Sequence, residues 1–219
     1  MTVKIKEKTR QRAPSKRSLA TRARILDAAE IAFARHGFDA ASIREIAAAA
    51  GVPGALVHHH GGGKEELFFK VVARRAEELS RLRLDALEER RRAGAPDLRG
   101  VIAAFVCPFL DLALHGDAHW RAYGRLIAHV SADARWRPIS EACFDPTARI
   151  FLAEIAQTLP DTSPRRIGAG FVFMVSSLLS MATSEWRIGD LAQDGGAEDM
   201  TDALLDFCVA GFTAIAGPP

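Results

Sequence analysis

Apolar residues recur at helical spacing along almost the whole of this 219-residue chain, which restricts the folds it can form. The first predicted helix starts at Thr21 and ends at the His36-Gly37 pair, since glycine commonly terminates helices. Its inner face carries Ile25, Leu26, Ala29 and Phe33. No segment alternates apolar and polar residues between turn signals, as a half-buried strand would. The sequence therefore predicts an all-α fold.

Capping residues, glycines and prolines set the ends of the later helices. The segment Ser42–Glu45 fits a capping box that would begin a second helix, and Gly51 would end it. Pro53 would start a short third helix, because proline suits a first helical turn. A long fourth helix is predicted from Lys64 to Arg92. Further helices are expected near residues 98–114, 118–131, 138–159, 163–187 and 197–215.

Charge is divided unevenly along the chain, although the formal net charge is only +2. Residues 1–75 hold fifteen Lys or Arg against seven Asp or Glu, whereas residues 76–219 hold fourteen against twenty. A basic end of this kind is typical of a domain that binds a polyanion. Residues 1–20 hold seven Lys or Arg against Glu7 alone, with few apolar groups, so we expect a disordered basic arm there.

The three cysteines, Cys107, Cys143 and Cys208, lie far apart and form no CxxC pair. This pattern favours neither a disulfide framework nor a zinc ribbon, and it fits a reducing cytosol. The uncharged stretch from Ile167 to Ser184 approaches the length of a membrane span. Glycine, serine and threonine residues dilute it, so we expect a buried helix and a cytoplasmic protein without a membrane partner.

Two short helices joined by Ala50-Gly51-Val52, on a basic domain, have the outline of a helix-turn-helix. A helix has the right width for the major groove of DNA, and glycine permits the tight turn between the pair. Short helix pairs also occur in many helical proteins, so the pattern alone leaves the function open.

The residues from Thr21 to Phe69 closely resemble the DNA-binding domain of the TetR family of repressors. The matching segments are TRARILDAAEIAFARHGFDAASIREIAAAAGV, PGALVHHH and GGGKEELF, which follow one another without a gap. The resemblance implies a helix-turn-helix DNA-binding domain over residues 21–66 and a larger ligand-binding and dimerisation domain over residues 67–219. It also implies a transcriptional regulator without enzymatic activity or a cofactor. The rest of the chain resembles the family only in length and number of helices.

The resemblance further implies ten DNA-binding positions, which would bind double-stranded DNA. Ser42 and Arg44 would contact phosphate and the groove edge, and Lys64 would hold a phosphate at the start of the fourth helix. The recognition helix would open with Pro53, Gly54, Ala55 and Leu56. At its other end the implied positions are His58, His59 and His60, the first and last of which would face backbone phosphates.

One position departs from the family, in which a phenylalanine normally follows the last of these histidines and here is replaced by Gly61. A missing core aromatic costs roughly 3–5 kcal/mol. We therefore expect either a void beside Phe33, Ile46 and Phe68 or neighbours that have moved in to fill it. If the helix-turn-helix is damaged there, the chain would instead be a dimeric ligand-binding protein that no longer reads DNA.

Aromatic residues are concentrated in the second predicted domain, where helical spacing explains most of them as core. Together they exceed what small helices need, and the resemblance implies a pocket for a largely apolar effector among these helices. The candidate pocket residues are Phe105, Phe109, Trp120, Tyr123, Phe144, Phe151, Phe171 and Met174. Arg125, one helical turn from both Arg121 and His129, would meet an anionic group of the effector or lie on a solvent face.

Two apolar stripes mark the last two long helices. The first comprises Ile167, Phe171, Met174, Leu178 and Met181. The second comprises Met200, Leu204, Phe207, Gly211 and Ile215. Such a pair fits half of an isologous four-helix interface, and the resemblance implies a homodimer formed there. An intramolecular hairpin would show the same pattern.

The sequence motifs do not favour metal binding, nucleotide binding or catalysis. Consecutive helical residues point about 100° apart, so the run His58–His60 cannot share one metal ion. His115, Asp117 and His119 could share a face, but the glycine between them is expected to break that helix. The glycines before Lys64 lack the spacing of a nucleotide-binding loop, and we find no catalytic motif. The predicted function is therefore a ligand-released homodimeric repressor that binds a palindromic operator, without metal or cofactor; a small helical enzyme is the weaker alternative.

Overall fold

The computed structural model describes residues 15–193 and 199–217, and every regular element in these ranges is a helix. The helices are α1 (Lys16–Ala40), α2 (Ile43–Ala49), α3 (Gly54–Gly61), α4 (Lys64–Ala93), α5 (Leu98–Leu110), α6 (Ala118–Ala132), α7 (Arg137–Cys143), α8 (Asp145–Thr158), α9 (Pro164–Ser184), α10 (Trp186–Ala192) and α11 (Thr201–Ala216). A π-helical turn, Asp111–His115, extends α5, and a 3-10 turn, Ala134–Trp136, precedes α7. The all-α prediction is confirmed.

Helix α1 begins earlier than predicted, because Ser15 caps it. The Ser15 Oγ accepts a hydrogen bond from the Ser18 N–H at 3.2 Å. Residues 16–20 of the expected disordered arm are therefore helical, and its residues 1–14 lie outside the described part of the chain. At the other end, Gly37 adopts a φ of 73°, which breaks the helix at the predicted position.

Two helices predicted in the second half of the chain are each divided. The helix expected over residues 138–159 breaks at Phe144, because Pro146 lacks the N–H that would continue α7 and instead lies in the first turn of α8. The helix expected over residues 163–187 breaks at Glu185, between α9 and α10. The last helix, α11, begins a few residues later than expected.

The N-terminal head, residues 16–61, is built on a small apolar core completed by the first turns of α4. Its most deeply buried side chains include Ile25, Phe33, Ile46, Val57 and Phe68. Trp136, from the turn before α7, joins this core, with its ring 4.5 Å from that of Phe68 between centroids. The head is therefore packed directly against the rest of the chain.

The helical body, residues 64–217, packs α5 against α4, α8 and α11, and packs α9 against α6, α8 and α11. Helices α9 and α11 come closest at Gly170, where an added Cβ would lie 2.6 Å from a ring carbon of Phe212. The absence of a side chain at Gly170 thus permits this approach. Helix α1 packs against both α4 and α6, which anchors the head on the body.

Two stretches, Leu98–His115 and Pro164–Ser184, are long and apolar enough to cross a membrane by length and composition alone. In the fold, each packs against several helices of the body. Helix α5 buries Val101, Ile102, Phe105 and Phe109, among others. The apolar composition of the first stretch is thus explained to a large extent by packing within the protein, whereas the second stretch also has exposed apolar side chains, among them Val172 and Phe173.

Candidate functional site

Helices α2 and α3 meet in a tight turn whose hydrogen bonds form a Schellman motif. The Gly51 N–H donates to the Ala48 carbonyl at 3.1 Å. The Val52 N–H donates to the Ala47 carbonyl at 3.0 Å. Gly51 has a φ of 62°, in the left-handed region that favours glycine. This glycine therefore fixes the turn of a helix-turn-helix.

The capping box predicted at the start of α2 is half formed. Ser42 Oγ accepts the Glu45 N–H at 3.1 Å, as expected. The Glu45 carboxylate does not complete the box; it lies 3.0 Å from Nε2 of His36 on α1. The side chain of Glu45 thus contributes to holding α2 against α1.

Eight of the ten predicted DNA-binding positions are exposed along α2, the turn and α3. They are Ser42, Arg44, Pro53, Gly54, Ala55, Leu56, His58 and His59. Val57, in the middle of α3, is fully buried and packs the helix against the head core. The outer side of the helix-turn-helix is therefore free to approach a partner.

The ninth position, His60, is half-buried. Burial lowers the pKa of its imidazole, and the positive charges of His59, Arg22 and Lys70 lower it further. The neutral form is therefore favoured at neutral pH.

The tenth position, Lys64, already has partners within the protein. Its Nζ donates to the Asp39 carbonyl at 2.9 Å and lies 4.8 Å from the centre of the Phe38 ring. The Asp39 side chain in turn pairs with Arg135 of the body at 3.0 Å. Lys64 thus joins the end of α1 to the start of α4, and a phosphate would have to share its ammonium group.

The void expected beside Phe33, Ile46 and Phe68 is not present at Gly61. A Cβ added to Gly61 would lie 3.0 Å from Cδ1 and 3.3 Å from Cβ of Leu67. Leu67 is itself fully buried. Leu67 therefore occupies the space beside Gly61, and the second expectation, that neighbours have moved in, describes the structure.

Trp136 is the part of this core that the sequence did not reveal. Its ring lies 4.8 Å from that of Phe38, which in turn lies 5.3 Å from that of Phe68. Trp136 follows the head by more than seventy positions, so no local pattern connects it to the helix-turn-helix. Its three-ring cluster supplies aromatic packing to a head whose recognition helix ends in glycine.

The helical body contains a cavity of about 510 Å³ that is lined by residues of α4, α5, α6, α7, α8 and α9 and is partly open to solvent. Of the predicted pocket residues, those that line it are Phe105, Phe109, Tyr123, Phe144 and Phe171. This volume lies in the usual range for small-molecule sites. A cavity among these helices was expected, and five of its aromatic side chains were identified from the sequence.

The remaining predicted pocket residues do not line this cavity. Trp120, Phe151 and Met174 are buried in the surrounding core, and Phe151 packs 5.1 Å from Phe105 between ring centroids. Arg125 is exposed and lies outside the cavity lining, so its solvent-face alternative describes the structure. The predicted anion contact at Arg125 was wrong because α6 turns that side chain away from the cavity.

Three charged residues in the cavity lining, Arg83, Asp145 and Arg149, were not predicted from the sequence, and Arg83 of α4 is the one without a carboxylate partner among the described residues. It lines the cavity, its Nε–H donates to the Phe105 carbonyl at 2.8 Å, and burial lowers its pKa to about 9. The sequence did indicate that Arg83 faces inward, because it lies four residues from both Leu79 and Leu87 and so shares their face of the helix.

The junction between head and body is built around Glu30 of α1, which is fully buried. Its carboxylate lies 3.0 Å from a guanidinium nitrogen of Arg74 and 3.0 Å from Nε of Arg75, both on α4. Nδ1 of His119, on α6, lies 3.2 Å from the same carboxylate. Three helices therefore meet at one buried charge.

The glycine between His115 and Asp117 separates the π-helical turn from α6, as the sequence predicted. The Asp117 carboxylate accepts the backbone N–H groups of His119 and Trp120 and so caps α6. The ligand atoms of Asp27, Glu30 and His119 do lie within 4.8 Å of one another. Two arginines already pair with these carboxylates, however, which makes the cluster an ion-pair network.

The dimer stripe predicted on α9 faces inward. Its members Ile167, Phe171, Met174, Leu178 and Met181 are all buried. Beside this stripe, Val172 and Phe173 are each 61% exposed, and Phe207 of α11 is 66% exposed; Val172 also lines the cavity. Helix α9 packs against α5, α6, α8 and α11, and the Phe171 ring lies 5.0 Å from that of Phe105 between centroids, so the stripe belongs to the core of the body. We call Val172, Phe173 and Phe207 the exposed apolar face.

A helix-turn-helix head fixed to a helical body with an internal cavity is the architecture of a one-component transcriptional regulator. The chain matches two family profiles, "Bacterial regulatory proteins, tetR family" over residues 25–71 and "Tetracyclin repressor-like, C-terminal domain" over residues 103–211. It belongs to the TetR family of transcriptional regulators, which carry a DNA-binding domain and are not enzymes.

Solved structures share the fold at low sequence identity. A TetR-like transcriptional regulator from Rhodococcus sp. RHA1 is 21% identical, with 94% of this chain and 100% of that chain covered and a TM-score of 0.57. The fatty acid degradation regulator FadR from Bacillus halodurans is 14% identical, with coverage of 90% and 98% and a TM-score of 0.58. The hemolysin II regulator HlyIIR is 20% identical, with coverage of 92% and 99% and a TM-score of 0.57. No curated protein sequence matches the chain.

Gly61→Phe should destabilise the protein, because the new side chain would overlap Leu67. Overpacking of this kind costs about 1–3 kcal/mol, so the melting temperature should fall. Gly63→Ser is the matched control: an added Cβ there has nothing within 4 Å, and serine is favoured at the N-cap position that Gly63 occupies. Thermal melts of both variants test the packing, and a higher melting temperature for Gly61→Phe would show that the site holds a void.

Proposed function

We propose that this regulator is a ligand-released homodimeric repressor that binds a palindromic operator. The observation that carries the proposal is the course of α1, which runs from the helix-turn-helix to a buried junction with α4 and α6. Both α4 and α6 also line the cavity. A ligand in the cavity that prefers one position of the heads would shift the population away from the DNA-binding arrangement.

The proposed DNA contacts use the ten positions already described. The start of α3, from Pro53 to Leu56, would face base edges in the major groove of double-stranded DNA. Ser42, Arg44 and Lys64 would contact phosphates, as would His58 and His60, and His59 would lie between them at the DNA surface. The rival function, a protein whose helix-turn-helix no longer reads DNA, rests on Gly61, and the contacts that a Cβ there would make with Leu67 argue against an empty space at that position.

The proposed homodimer forms through the exposed apolar face. Val172 and Phe173 of α9 and Phe207 of α11 are large apolar side chains left uncovered on neighbouring helices. Small residues such as Ser176 and Ala210 lie beside them and permit close approach of a second copy. Two heads related by the resulting two-fold axis would enter successive major grooves about 34 Å apart, in the cytoplasm and without a membrane partner.

Arg44→Ala should weaken binding to all DNA sequences to a similar degree, because it removes a phosphate contact rather than a base contact. Fluorescence anisotropy against duplexes from upstream of the chain's own gene, over a salt series, measures this. The slope of log affinity against log salt should fall by about 1. Arg81→Ala is the control, since Arg81 is exposed on α4 and pairs with Asp85 away from the head. If the affinity of the wild type for DNA stays the same over the salt series, the phosphate contacts on which the repressor function rests would be contradicted.

Phe173→Asp combined with Phe207→Asp should yield a monomer, because each dimer interface would bury four carboxylates. Light scattering at a concentration where the wild type is dimeric measures this. Ile150→Asp is the control, since Ile150 is an exposed apolar residue on α8, outside the proposed interface. A double variant that remains dimeric would place the interface elsewhere on the body.

A further inference from the structure

Arg83 uses only one of its hydrogen-bond donors in the wall of the cavity. Its Nε–H donates to the Phe105 carbonyl, and its guanidinium carbon lies 3.6 Å from the centre of the Phe105 ring. A guanidinium has five N–H donors. Its two terminal nitrogens make no hydrogen bond with the described residues, so their N–H groups are available to a ligand.

No carboxylate of the described residues neutralises Arg83. The one carboxylate in the cavity lining belongs to Asp145, which lies 3.5 Å from Arg149. Tyr123, which also lines the cavity, supplies no negative charge at neutral pH, because burial raises the pKa of its phenol. Burial lowers the pKa of Arg83 to about 9, which leaves the guanidinium cationic at neutral pH.

The rest of the cavity around Arg83 is largely apolar. Its lining includes Leu79, Phe109, Ile127, Leu152, Val175 and Leu179. A cation in such surroundings is costly unless an anion pairs with it. The planar fork of a guanidinium matches the two oxygens of a carboxylate, and stacking on Phe105 holds that fork in a fixed orientation.

We propose that the cavity binds an apolar organic acid whose carboxylate pairs with the two terminal nitrogens of Arg83. The apolar body of the acid packs against the aromatic and aliphatic lining. The acid's role as the releasing effector rests on the proposed repressor function, whereas its binding to the cavity does not. The site places the anion contact on α4, whereas Arg125 of α6 is exposed and lies outside the cavity lining.

Two pairs of probes separate the charge from the apolar body: decanoate with decanol, and 2-naphthoate with 2-naphthol. Isothermal titration calorimetry at neutral pH, on the full chain without DNA, gives the affinities. At least one acid should bind the wild type about 10-fold or more tightly than its neutral counterpart, because a charge-assisted pair contributes on that scale. Equal affinities within both pairs, or no saturable binding of either acid, would overturn the proposal.

Arg83→Met tests the residue itself, since methionine keeps the apolar stem and removes the charge. The acid should then bind no more tightly than its neutral counterpart. Binding of the neutral counterpart should persist, which would show that the cavity is intact. Arg83→Lys should keep part of the preference. Arg149→Met is the matched control, because Arg149 lines the same cavity but already pairs with Asp145. An acid preference that survives Arg83→Met, or disappears in Arg149→Met instead, would overturn the assignment.

A gel shift separates this proposal from the repressor function. The preferred acid should release DNA from the wild type and from Arg149→Met, but not from Arg83→Met. Acid binding by calorimetry without any DNA binding would support the site and contradict the repressor. DNA binding without acid binding would support the DNA-binding part of the repressor function and contradict the site.

Discussion

The relation between the head and the body depends on one buried carboxylate. Glu30 lies on α1 without solvent exposure, and Arg74, Arg75 and His119 approach it from α4 and α6. Removing one partner from a buried charge network costs roughly 3–5 kcal/mol, because a charge is left unpaired. The network therefore gives α1 one favoured position on the body. The direction of the recognition helix follows from that position.

Helix α4 carries arginine sites in two different environments, which differ in whether a carboxylate pairs with them. About three turns from its start, Arg74 and Arg75 are paired with carboxylates of α1, which fixes the head. About two turns further along, Arg83 lacks a carboxylate partner and lines the cavity. A ligand that satisfies the second site acts on the same helix that holds the first. This shared helix gives a physical route from cavity to head, and α6, which also contacts both, gives a second.

Local features of the fold were predictable from the sequence, because neighbouring residues determine them. The cap at Ser42 and the turn at Gly51 are set by side-chain oxygen and backbone freedom within a few positions. Whether the apolar stripe on α9 that contains Phe171 packs within the chain or against a second copy was not predictable in the same way. Periodicity defines an apolar stripe on α9, but which helix covers that stripe depends on the packing of distant segments. Trp136, which joins the head core, was missed for the same reason.

DNase I footprinting on DNA from upstream of the chain's own gene tests the central claim, that the helix-turn-helix of a dimer reads a two-fold symmetric site. The account predicts a protected segment with two inverted half-sites whose centres lie about one helical turn, roughly 10 base pairs, apart or at a multiple of it. Protection should require protein concentrations at which the chain is dimeric. Uniform coating of the DNA, or no protection by a folded dimer, would contradict the account.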